Sequence, residues 1–206
     1  MTTTRAKKAT ARARAPRPTG RAESILDSAE RLVQTRGFNN FSYADIAAEL
    51  GITKASLHYH FSSKAVLGQA LIARYGERFA AALVQIDEDT PTAREKLEAY
   101  AALYGDVLRG KRMCLCGILA AEYPTLPRAM RGAVTRFFDE NQEWLAGVLR
   151  QGEHDQTLSV AGAPEEIAQE ILSTLEGAML VSRPYGDLRR FDAAVRHLLA
   201  GLTAGS

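Results

Sequence analysis

The chain has 206 residues, 46% of them hydrophobic and 24% charged, which allows one large or two modest domains around a packed core. No apolar run approaches ~18 residues, so a transmembrane helix is not expected, and the basic N-terminus lacks the apolar stretch of a secretory signal. The net charge of +2 hides an asymmetry: residues 1–21 carry seven basic groups and no acid, so the remainder holds 19 basic and 24 acidic residues.

Residues 1–20, with Pro16, Pro18 and Gly20 among Thr, Ala, Arg and Lys, read as a disordered basic arm. A transit peptide or a solubilising tail would share that composition. A nucleic-acid arm accounts for the charge too, by tracking phosphates or entering a minor groove beside a main site. From Ala22 to about Arg36, the spacing of Ile25, Ala29, Leu32 and Val33 predicts an amphipathic helix that Gly37 ends. Phe38 and Phe41 are then core candidates.

Residues 41–64 carry the most specific pattern. Ser42 stands three residues before Asp45, a capping-box-like helix start. Ile46, Ala47 and Leu50 give an apolar face, and Gly51 can take the left-handed conformation that ends the helix. Thr53 is an N-cap for a second helix, from Lys54 to about His60, whose buried side is Leu57 with Phe61. This is the layout of a helix-turn-helix, with the second helix entering the DNA major groove. If Leu57 points inward, Ala55 and Tyr59 point most directly outward, Ser56 and His58 flank them, and Lys54 and His60 lie nearer the edges. Lys54, Ala55 and Ser56 suit base edges, whereas His58, Tyr59 and His60 suit phosphates. The two histidines also read as plain surface residues. Ser63 is an N-cap for the next helix, and Lys64 in its first turn would clamp a phosphate. That helix, to about Gln85, would carry the chain from a DNA-binding unit (21–66) into a second domain (67–206).

The second domain also reads as helical. Helices are expected from Thr92 to about Leu108, from about Pro127 to Gly152, from Pro164 to about Arg183, and from Leu188 to about Leu202. Between them lie the cysteine-containing segment 111–123, a polar loop at 153–163 and a turn at 184–187. The last two helices carry apolar stripes, one with Ile167, Ile171, Leu175, Ala178 and Val181, the other with Phe191, Ala194, Val195, Leu198 and Leu202. Each stripe can pack into its own core, or the pair can meet a second copy as a four-helix bundle.

The stretch from about Ile25 to Tyr75 resembles the TetR/AcrR family of bacterial transcriptional regulators. The residues that carry the likeness are Ile46, Ala47, Gly51 to Lys54, Leu57 to Phe61, Ser63, Lys64, Leu67 and Leu71. His58 stands where the family more often has an aromatic residue. The resemblance implies an all-α homodimer of about nine helices per subunit, with an N-terminal DNA-binding domain and a larger C-terminal domain that binds an inducer and dimerises. The implied DNA-contact set is Ser42, Tyr43, Thr53, Lys54, Ala55, Ser56, His58, Tyr59, His60 and Lys64. The partner would be a near-palindromic double-stranded operator with half-sites about one DNA turn, or a multiple, apart. The setting would be the bacterial cytoplasm, on the nucleoid when DNA-bound, with no membrane partner and no cofactor.

Two cysteines, separated by one residue, cannot form a disulfide framework, which fits a reducing compartment. Cys114 and Cys116 resemble a family segment in which Cys-Leu-X-Gly opens the helix nearest the inducer pocket. Arg109, Lys111 and Arg112 precede them, and a helix N-terminus beside them would lower a thiol pKa. An electrophile or oxidant sensor is therefore one reading, and a small buried hydrophobe is another. A pocket lined by Tyr100, Tyr104, Cys114, Ile118, Phe137, Phe138, Trp144 and Met179, with Glu176 as a polar anchor, would suit a weakly polar small molecule. Ordinary core packing explains the same spacings. The leading expectation is a repressor released by an inducer. The alternatives are a thiol sensor, a DNA-binding activator and a thiol enzyme.

Overall fold

The computed structural model describes residues 20–159 and 161–202, so the basic arm at 1–19 lies outside the described residues. Among the described residues there are nine α-helices and no strand. They are α1 (Gly20–Arg36), α2 (Tyr43–Leu50), α3 (Lys54–His60), α4 (Lys64–Asp89), α5 (Ala93–Arg109), α6 (Leu115–Ala121), α7 (Arg128–His154), α8 (Pro164–Ser182) and α9 (Arg189–Ala200). Short 3₁₀ turns at Tyr123–Thr125 and Arg183–Tyr185 join α6 to α7 and α8 to α9.

Local signals set the N-terminal boundaries. Ser42 and Asp45 form the full capping box on α2, and Thr53 accepts from the Ser56 N–H on α3. Gly51 ends α2 at φ +61°, a conformation that a β-carbon disfavours. Ile25, Leu26, Ala29 and Val33 of α1 bury against Ile46, Leu57 and Leu67, closing the three-helix core that a two-helix unit lacks. Helix α4 runs on to Asp89, beyond the expected Gln85, because Ile86 is itself buried and extends the apolar stripe.

Helix α4 ties the two halves together. Its Arg74 guanidinium, only a tenth exposed, reaches α1 and bonds Glu23 at 2.9 Å, Asp27 at 2.8 Å and Glu30 at 2.6 Å. In the C-terminal half α7 is central and packs against α4, α5, α6 and α8, while α9 packs on α8 and α5. Ile171, Leu175, Phe191 and Leu202 point into this core and are at most 6% exposed. They were expected at the dimer interface. Their area is already buried within the subunit, so they are corrected to core residues. Ile167, Ala178, Val195 and Leu198 are partly buried against the same core. The outward face of α8 shows Ser173, Gly177 and Leu180, and also Val181, which parts from the stripe it was expected to share with Ile171 and Leu175; both Leu180 and Val181 are more than half exposed.

The Arg74 cluster makes a stability prediction. Arg74→Met leaves Glu30, nine-tenths buried, without its close partner, which costs about 3 kcal/mol. Thermal denaturation is expected to show a fall of roughly 6–12 °C.

Candidate functional site

Helix α3 presents its outer face as its spacing predicts. Lys54, Ala55, His58 and Tyr59 are exposed, with Tyr59 87% exposed, while Ser56 and His60 are half-buried and Leu57 is fully buried. A concavity of about 470 Å³ beside it is lined by Phe41, Ser42, Tyr43, Ala44, Lys54, His58 and Lys64. The hydroxyls of Ser42 and Thr53 are engaged in helix caps. Tyr43 donates its hydroxyl to the Phe61 carbonyl at 2.8 Å, and burial pushes its pKa up to about 12. Its ring lies 4.8 Å from that of His58, and His58 Nδ1 is 3.3 Å from the Ser62 carbonyl. The unit therefore fixes its tyrosine and histidine by its own contacts.

Lys64 differs from the expected free clamp. Its ammonium donates to the Phe41 carbonyl and lies 4.7 Å and 4.3 Å from the centroids of the Phe38 and Phe41 rings. Burial lowers its pKa, with Glu122 and Asp45 opposing that shift. It lines the concavity, but its first task is to lock the turn between α1 and α2.

The residues expected to line a ligand pocket come together as a packed aromatic cluster. Tyr100 bonds the Asn141 side-chain oxygen at 3.0 Å and the Tyr104 hydroxyl at 3.1 Å. Trp144 stacks on Tyr100 at 5.5 Å and donates Nε1 to Asp87 at 2.9 Å. Phe79 meets Tyr100, Tyr104 and Phe137 edge-on at 5.9, 6.0 and 5.2 Å, and Phe138 packs beside Phe137. Ile118 and Met179 are buried in the same core. Sequence reading missed Tyr75, Phe79 and Asn141. The i,i+4 aromatic pair on α4 and an asparagine within an apolar helix were the available signals.

Cys114 is the N-cap of α6, and Cys116 lies in its first turn, both free and buried. The preceding basic residues do not lower the thiol pKa values. Burial pushes both thiols well up, and the Glu176 charge beside them adds to the shift. Arg109 instead pairs with Asp106, and Arg112 donates to the Gln34 side chain. The expectation of a lowered thiol pKa is therefore corrected: the resting groups are thiols. The Tyr75 hydroxyl contacts Cys114 Sγ at 3.7 Å. Glu176 packs its carboxyl over Gly117, burial raises its pKa to about 7, and its Oε1 has no hydrogen-bond partner.

The far end of α6 reaches the turn between α1 and α2. Glu122, just past α6, accepts the Phe38 N–H at 2.7 Å and the Asn39 N–H at 3.3 Å. Thr125 accepts from the Asn39 side chain at 2.8 Å, and the Met113 N–H donates to the Gln34 carbonyl at 3.2 Å. Arg183, past α8, donates to the Thr35 carbonyl. Thus one helix of seven residues stands between the Glu176–Cys114 cluster and the turn that Lys64 locks.

Comparison with known proteins agrees with this arrangement. A family model described as bacterial regulatory proteins, tetR family, matches residues 25–71, and a tetracyclin repressor-like C-terminal domain model matches residues 93–198. The chain is 28% identical to the transcriptional regulator AcuR of Cereibacter sphaeroides, over 77% of this chain and 74% of that protein. It is 25% identical to the HTH-type transcriptional repressor NemR of Escherichia coli, over 86% and 93%. A TetR-family regulator from Agrobacterium tumefaciens superposes with a TM-score of 0.86 at 34% identity, covering 89% of this chain and 97% of that one. Both halves of the sequence and the fold as a whole thus place this chain in the TetR family of bacterial transcriptional regulators.

Proposed function

We propose that this regulator is a homodimeric repressor that binds a near-palindromic operator and leaves it when a small molecule enters the C-terminal domain. The observation that carries this reading is the placement of α6. One end caps the Glu176–Cys114 cluster, and the residue after its other end holds the backbone of Phe38 and Asn39. A ligand that shifts α6 would disturb those bonds and the α1–α2 turn, and so move α3 relative to the half-site. The raised thiol pKa values favour a reversible ligand over thiolate chemistry as the trigger.

Dimerisation would use the outward stripe of α8. Ser173, Gly177, Leu180 and Val181 follow helical spacing, and Gly177 has open space where a β-carbon would stand, so a partner helix could approach closely. A twofold pair would set two α3 helices about one DNA turn, or a multiple, apart.

Three measurements check this. Selection from random duplexes should enrich a palindrome, and failure to enrich one removes the operator reading. Lys54→Ala should alter base preference within each half-site by about 1–3 kcal/mol, whereas Lys64→Ala should weaken binding to all sequences and also lower thermal stability. Leu180→Asp should give a folded monomer by light scattering, with operator affinity down at least ~100-fold. A Leu180→Asp protein that stays dimeric would place the interface elsewhere.

A further inference from the structure

We propose that the effector site selects an organic cation of the alkylammonium type, whose head group pairs with Glu176 where α8 faces the start of α6. This rests on the reading of the C-terminal domain as the effector side. It replaces a weakly polar ligand with a charged one.

The basis is an unfinished interaction. The Glu176 side chain is half-buried, and its Oε1 is shut off from solvent yet has no hydrogen-bond partner. Buried carboxylates are normally paired, because leaving one unpaired in a low-dielectric interior is costly. Elsewhere in this chain that rule holds: Glu30 meets Arg74, and Glu122 meets two backbone N–H groups. Among the described residues Glu176 has neither kind of support, and the weak donor it meets is the Cys114 thiol. The groups that act on it or feel its charge are Tyr75 from α4, Tyr100 and Tyr104 from α5, and Cys114 and Cys116 at α6. All of these are neutral, and their own pKa values are pushed up, so none supplies a positive charge. A cation is the missing partner, and the rings of Tyr75, Tyr100 and Tyr104 near the acid add attraction for it. A neutral donor could bond the oxygen but would leave the charge of the ionised acid unbalanced.

The position also links recognition to response. A β-carbon at Gly117 would overlap the Glu176 carboxyl, so the acid lies directly on the first turn of α6. A head group drawn to that carboxyl has to part α6 from α8. Moving α6 pulls on Glu122 and its hold on Phe38 and Asn39.

The sign of the pH dependence follows. The carboxyl ionises at about 7, and a cation binds its ionised form. Affinity is therefore full above that value and falls below it, by about tenfold from pH 8 to pH 6. The tyrosines and thiols stay neutral across that range.

The test is calorimetric titration of the full-length dimer with primary alkylammonium ions from methyl to hexyl, each against the alcohol of equal length. The expected result is at least ~10-fold tighter binding of the best ammonium than of its alcohol, the stated loss towards pH 6, and neither effect in Glu176→Gln. Equal binding of alcohols, no binding by any ammonium, or unchanged selectivity in Glu176→Gln overturns the proposal. The wild-type ammonium-to-alcohol ratio and pH profile decide the matter even if the variant folds poorly. Release of operator DNA is read separately. Binding without release would uphold the cation site and overturn the release reading, while release by the alcohols alone would do the reverse.

Discussion

The hold of Glu122 on two backbone N–H groups is the constraint on which the rest of this molecule turns. Phe38 and Asn39 follow Gly37 at the exit of α1, where the chain needs both a sharp reversal and a hydrogen-bond partner from outside the helix. That partner comes from the residue after α6, about 80 residues further along the chain. The same turn carries Phe38 and Phe41, on which Lys64 rests. The loop that feeds α2 and the first residue of α4 are therefore set by one carboxylate from the other half of the protein. Arg74 holds α4 to α1 independently, so the helix-turn-helix unit has one tie within itself and one to the C-terminal half.

The C-terminal half shows a similar division. The aromatic cluster of Phe79, Tyr100, Tyr104, Phe137 and Trp144 is close-packed and internally hydrogen-bonded through Asn141. The α6 end of the core has a short helix, two thiols and an acid whose Oε1 is buried without a partner.

Much of the N-terminal half was legible in the sequence because its determinants are local. The capping box at Ser42 and Asp45, the left-handed Gly51 and the inward Leu57 each follow from neighbours within a few residues. The inward turn of Lys64 was not legible, since it depends on two rings more than twenty residues away meeting one ammonium. The stripes of α8 and α9 announced burial but not the partner surface. Ile171, Leu175, Phe191 and Leu202 proved to face their own core, and Leu180 and Val181 the outside. The cysteine environment was misjudged in sign for a related reason. Arg109 and Arg112 are near in sequence but committed to Asp106 and Gln34, and the nearby charge in space is Glu176.

The central claim is that α6 carries the state of the Glu176 cluster to the turn beneath the DNA-facing helices. A double-mutant cycle with Glu176→Gln and Glu122→Gln, read as affinity for the selected operator, tests it most directly. The expected result is a coupling energy of about 1 kcal/mol or more between the two ends of α6. Effects that add to within about 0.5 kcal/mol would contradict it.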